Sequence, residues 1–310
     1  MVPRDAGSPA IDIGSILGRT FDTLGREWSL FVVLAAPAAL GAFVQSQIAP
    51  STTMSASAEP RLDDLVSFVA GTIVGTLFSL LSVLAVTAAV DELWQGRAAR
   101  VGDAFARGIR ALPRYLGVAI LFGLVIFVLV AIPVALILAA PATASGGLVL
   151  LFGLGALVLL PVALWVGARL TLLVPVIVLD PAGVTGSIRR AWELSRGHAL
   201  MLFALSIAIG LIGALPLWGA SLFAAFVPNA IIGGIALAIS TLVYQPLSLI
   251  AITIAWGDRI GGRHADSEAM ARGRGRGTGA LLVFGLSAIL FVIGAGVAAQ
   301  YAATTSPAFR

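Results

Sequence analysis

The chain has no cysteine and no lysine, only two histidines, and few charges of either sign: 11% of its 310 residues are charged. Without cysteine there can be no disulfide, thiolate metal site or thiol nucleophile. The histidines, His198 and His264, belong to no cluster of His, Asp and Glu at metal-ligand spacing, and neither a nucleophile elbow nor a phosphate-cradling glycine loop is present. Soluble domains carry about 25% charged residues. A chain that is 59% hydrophobic, with a mean hydropathy of +1.03, holds more apolar surface than a core can absorb and calls for lipid. The expectation is a non-enzymatic integral membrane protein with no cofactor. The arginine-only basic set, with abundant Ala and Gly, suggests a GC-rich bacterial genome.

Apolar runs fall at Leu30–Ile48, Leu65–Val90, Tyr115–Ala140, Gly147–Leu179, His198–Phe226, Ala230–Trp256 and Gly279–Ala299. They predict an all-α polytopic bundle of about seven crossings at roughly 20 residues each. The fourth run, 33 residues, would make a helix of about 50 Å against about 30 Å of hydrocarbon. It must tilt, break near Pro161 or Pro175, or leave lipid before Asp180. No basic start leads into an apolar stretch at the N-terminus, so no cleavable signal is expected. Sixteen arginines lie before the first run or in the second-to-third, fourth-to-fifth and sixth-to-seventh connections. The positive-inside rule then places the N-terminus in the cytoplasm and, with seven crossings, the C-terminus outside.

Three amphipathic segments precede pairs of runs, and they align as Ile13/Val101/Val184, Leu17/Phe105/Ile188, Arg19/Arg107/Arg190 and Phe21/Ile109/Trp192, at offsets of 88 and 83 residues. Ser8 and Pro9 mark a candidate start for the first segment. In the third, Asp180 followed by Pro181 reads as a helix cap, with Val184, Ile188 and Trp192 on one face. This predicts three parallel units of interfacial helix plus transmembrane hairpin, about 8–90, 98–179 and 181–257, then a basic Gly-rich linker at 258–278 and a terminal helix at 279–300.

The polar positions carry the remaining expectations. Asp91, Asp180 and Asp258 close the even-numbered runs, where the helix dipole opposes a negative charge. They either pair with arginines of the interfacial helices or are simply solvated. Arg169, late in the fourth run, is a candidate functional charge or a structural one snorkelling to the interface. Tyr244 and Gln245, beside Pro246, either line a cavity or bond between helices. Trp28, Trp94, Trp192 and Trp256 are expected as interfacial anchors. Arginines of the RGRGRG run at 272–277 fit anionic headgroups at the cytoplasmic face rather than nucleic acid.

The stretch Trp165, Arg169, Pro175, Asp180, Gly183, Arg190, Trp192, Leu194, Arg196, Gly197 resembles the bacterial glycerophosphoryl diester phosphodiesterase membrane-domain family. In that pattern an aromatic residue and an Arg come late in an apolar helix. A Pro, an acidic residue, a Gly and a basic helix ending Ser-Trp-x-Leu-Thr-x-Gly follow. The chain departs from it at Asp180, Ala191 and Ser195, where Glu, Ser and Thr are usual. The segments IGSILGRTFDTLGREW and WQGRAARVGDAFARGIRALP also resemble that family, so the similarity covers most of residues 10–257. The resemblance implies a multi-pass protein of the bacterial inner membrane. In that family the phosphodiesterase activity belongs to a separate soluble barrel domain that only some members carry. A membrane scaffold or lipid-associated module, a transporter of a lipid or small molecule, and the membrane part of a phosphodiesterase system all remain open.

Overall fold

The structure, a computed structural model, describes residues 12–48, 62–139, 164–180, 182–226, 230–260 and 276–293, with Gly147 and Gly296 as isolated positions. The described residues form helices joined by short turns, without a strand. Helix α1 (Ile13–Arg26) starts at Asp12, whose carboxylate accepts the N–H groups of Gly14 at 3.1 Å and Ser15 at 3.2 Å. Ser8 and Pro9 lie outside the described residues. The chain enters α2 (Trp28–Ile48) after Glu27 alone.

Helix α3 (Leu62–Trp94) ends where Gly96 takes a left-handed φ of 70°. The N–H of Arg97 then reaches the Glu92 carbonyl and that of Gly96 the Leu93 carbonyl, at 3.0 and 3.1 Å. This is the Schellman closure, which favours glycine. Helix α4 (Val101–Ala139) runs 39 residues without a break. The expected boundary between a second interfacial helix and the third crossing is therefore absent. Pro113 removes one backbone bond, and a proline alone kinks a helix more readily than it ends one when no turn-forming residue follows.

The described part of the fourth run breaks as its length requires. It is helical over 164–170, interrupted at Thr171 and Leu172, and resumes as α5 (Leu173–Leu179). Pro175 explains the site: it has no N–H to offer the Thr171 carbonyl four residues back. Helix α6 (Val184–Leu194) is capped by Gly183 backbone with no side-chain bond. Asp180 is thus not its cap, contrary to the sequence expectation. Helices α7 (Ala199–Phe226) and α8 (Ala230–Ile260) form a hairpin, and α9 (Arg276–Ala280) opens a helical stretch that passes a π-helical turn at Leu281–Gly285.

Helix α2 packs between α3 and α8; α7 lies on α8, and α4 on α3. Their shared core is apolar and fully enclosed, with Phe31, Leu34, Leu84, Leu172, Leu205, Leu247 and Ile254 at its centre. The α2–α3 crossing is close because glycines meet there. A Cβ at Gly41 would come within 2.8 Å of the Phe78 Cβ and 3.0 Å of the Gly75 carbonyl oxygen. Outward faces carry Val33, Leu40, Ile73, Leu77, Leu211 and Trp218 in the open.

Among the described residues, four helical segments are long and apolar enough to cross a membrane: Trp28–Ile48, Val69–Trp94, Ala199–Ser221 and Ile231–Asp258. Two shorter apolar helices, Leu164–Leu179 and Gly277–Ile293, cover the described parts of the expected fourth and seventh crossings. The last is no loose appendage. It seats on α1, with Gly279 against the Phe21 backbone and the Phe21 and Phe284 rings 6.0 Å apart.

Candidate functional site

Ion pairs among the described residues gather around α1, α6 and the start of α4. Each of these stretches turns side chains inward at the same three positions, and all but Leu194 are small or β-branched. Ile16, Ala104 and Ser187 are buried, as are Thr20, Gly108 and Ala191, and Thr23, Ala111 and Leu194. These rows keep the offsets of 88 and 83 residues and lie beside the aligned apolar positions of the same segments. Those apolar positions are at most half-buried, and Ile109 is 55% exposed. Small residues face the bundle because helix backbones can approach only where side chains are short. A Cβ on Gly108 would meet the Ala85 nitrogen at 3.1 Å.

The three aspartates each face an arginine. Arg19 grips Asp258 with both arms of its guanidinium, Nη1 to Oδ1 at 3.0 Å and Nη2 to Oδ2 at 2.5 Å, and stacks 5.3 Å from the centre of the Trp94 ring. Arg107 lies 3.8 Å from Asp91 and 3.1 Å from Glu92. Arg190 lies 3.6 Å from Asp180, whose backbone carbonyl also accepts from Arg114 at 2.8 Å. These contacts are unequal. The Arg19–Asp258 side chains are 13% and 11% exposed, whereas those of Arg190 and Asp180 are 46% and 28% exposed. Bidentate, enclosed pairs are strong where open ones contribute about 0–1 kcal/mol. Arg189 and Glu193 form an exposed pair at 2.9 Å that raises the guanidinium above its usual pKa.

Arg169 is held differently. Its guanidinium carbon lies 4.9 Å from the Trp165 ring centre and 5.0 Å from that of Trp192, and the two indoles meet edge to face at 5.1 Å. Each ring face contributes about 0.5–2 kcal/mol to holding a cation. The Arg169 Nε is shut from solvent without a hydrogen-bond partner. Trp192 is therefore half of a bracket, not a free interfacial anchor. Trp94 and Trp256 also depart from the anchor expectation: they are 4% and 2% exposed, inside the bundle, and only Trp28, at 49%, stands open.

Gln245 donates from Nε2 to the Ser79 carbonyl at 3.2 Å, joining α8 to α3, and the Tyr244 ring presses on Gly213 of α7. Cavities lined by described residues include the following three. One of about 280 Å³ is apolar, between Trp28, Phe31, Leu242 and Leu282. A second, about 350 Å³, lies between the helical stretch 164–168 and the start of α7. The third, about 480 Å³, is an open polar cleft by Asp180, Arg189, Arg190 and Glu193. Neither Tyr244 nor Gln245 lines any of them. Among the described residues no three His, Asp or Glu side chains converge as a metal site would.

Glu92 and Arg114 join this site without having been singled out in the sequence. Glu92 is legible only as a second acid beside Asp91, and Arg114 only as one of five arginines in its connection. No protein-family model, curated protein or solved structure matches the chain. What the fold defines is the class: an all-helical protein with several helices able to cross a membrane.

Proposed function

We propose that the chain is a non-enzymatic, multi-pass membrane scaffold of the glycerophosphodiester phosphodiesterase membrane-domain type, associated with lipid at its arginine-bearing face. In this reading three units of interfacial helix and transmembrane hairpin stand side by side, followed by one terminal crossing, in a bacterial inner membrane with the N-terminus cytoplasmic. The observation that carries it is the order of the ion pairs. Arg107 takes the aspartate of the unit before it, Arg190 does the same, and Arg19 of the first unit takes Asp258 of the last. The three inward-facing rows at common offsets support the same repeat. A scaffold, rather than a transporter, accords with Gln245 bonded from α8 to the Ser79 carbonyl of α3.

The test uses the absence of native cysteine. Ser15→Cys, Asp103→Cys and Arg189→Cys place single thiols on the exposed sides of α1, α4 and α6. All three are expected to react with an impermeant maleimide in inside-out vesicles and to stay silent in right-side-out ones. Labelling of any one from the outside would dismantle the scheme of parallel units.

A further inference from the structure

Arg169 is fixed in place yet not neutralised. Two indole faces hold its guanidinium, but no carboxylate or carbonyl meets it among the described residues, and its Nε is enclosed without a partner. Trp165 also lines the apolar groove of about 350 Å³, together with Leu164, Ala168, Ala199, Leu200 and Phe203. This groove opens outward, with Leu164 45%, Trp165 49% and Leu200 82% exposed. One wall is the first turn of the 28-residue helix α7, whose leading N–H groups and dipole favour a negative charge. A fixed cation beside an apolar channel that faces the surroundings matches an amphiphile with an anionic head.

We propose that Arg169 and this groove seat one anionic phospholipid, its phosphate on the guanidinium and one acyl chain along the groove. The inference rests on the reading that the chain is embedded in a bilayer. It differs from general attraction of arginines to headgroups, because it needs one oriented charge and one adjoining channel. The neighbouring exposed arginine, Arg189, is already paired with Glu193 and serves as the control.

The full chain, purified in detergent, is exchanged with phosphatidylglycerol or phosphatidylcholine, and lipid retained per chain is read by native mass spectrometry. Wild type is expected to keep one phosphatidylglycerol at least tenfold more tightly than phosphatidylcholine. Arg169→Gln should erase that preference. Leu200→Glu, at a position exposed enough to leave folding alone, should do the same by placing a carboxylate on the groove wall. Arg189→Gln should keep the preference. Retention of phosphatidylglycerol by both Arg169→Gln and Leu200→Glu would overturn the seat, as would its displacement by millimolar inorganic phosphate, which would mean a headgroup site without a chain channel. Flotation with proteoliposomes separates the two levels. A wild-type chain that does not float defeats the membrane reading, and one that floats without lipid preference defeats only the seat.

Discussion

Arg19 and Asp258 are separated by 239 residues and joined by two hydrogen bonds, so the first helix of the described chain clasps the end of the last long one. The guanidinium lies between that carboxylate and the Trp94 ring, which itself comes from α3. One side chain thus ties α1, α3 and α8 at a single point. The pair is mostly enclosed, and for an enclosed pair removal of one partner strands the other charge.

Asp258→Asn is therefore expected to destabilise the protein by about 3 kcal/mol. Asp180→Asn, whose carboxylate stands 3.6 Å from an open arginine, is expected to cost less than about 1 kcal/mol. Thermal unfolding of both variants in one detergent gives the comparison. Equal losses would mean that the clasp has no special weight.

The inward rows make a second prediction on one helix. Gly108 and Gly102 both lie in α4, but a Cβ at 108 presses on the Leu84–Ala85 backbone while one at 102 meets nothing within 4 Å. Gly108→Leu should destabilise by about 1–3 kcal/mol or more through overpacking. Gly102→Ala should be neutral or gain up to about 1 kcal/mol from helix propensity. Matching behaviour at the two sites would show that α4 does not abut α3 as described.

Gly213 and Tyr244 supply a third. The Tyr244 ring occupies the space a Cβ at 213 would need, so Gly213→Ala should cost about 1–3 kcal/mol. Adding Tyr244→Ala should recover part of that loss, because the clash goes with the ring. Independent, additive losses in the double variant would indicate no contact between the positions.

Long apolar runs and their breaks were legible because they rest on local chemistry. Length required the fourth run to tilt, break or leave lipid, and the described residues show a break beside Pro175, one of the two prolines offered for it. The aspartate–arginine partners could be named from charge and helix polarity, but not which arginine each would meet, since Arg19–Asp258 depends on how α1 returns to α8. The inward-facing rows of the amphipathic segments were not singled out in the sequence. Hydrophobic periodicity follows the largest side chains, whereas close helix contact selects small ones such as Gly108, Ala111 and Ala191, which carry little hydrophobic signal. Trp94 and Trp256 were misread for a related reason: closeness to a helix end says nothing about which way an indole points. Asp180 was misassigned as a cap because Gly183, three residues on, supplies the cap backbone instead.

The central claim, that three repeated units are joined through these pairs in the order proposed, can be tested on a chain without cysteines of its own. Double-cysteine variants at 19 and 258, 107 and 91, and 190 and 180 are treated in membranes with a short bis-maleimide. Mismatched pairs at 19 and 180, and at 107 and 258, are treated alongside. The account predicts intramolecular bridging in the three matched variants and none in the mismatched two. Bridging at 19 and 180 as efficient as at 19 and 258 would contradict it.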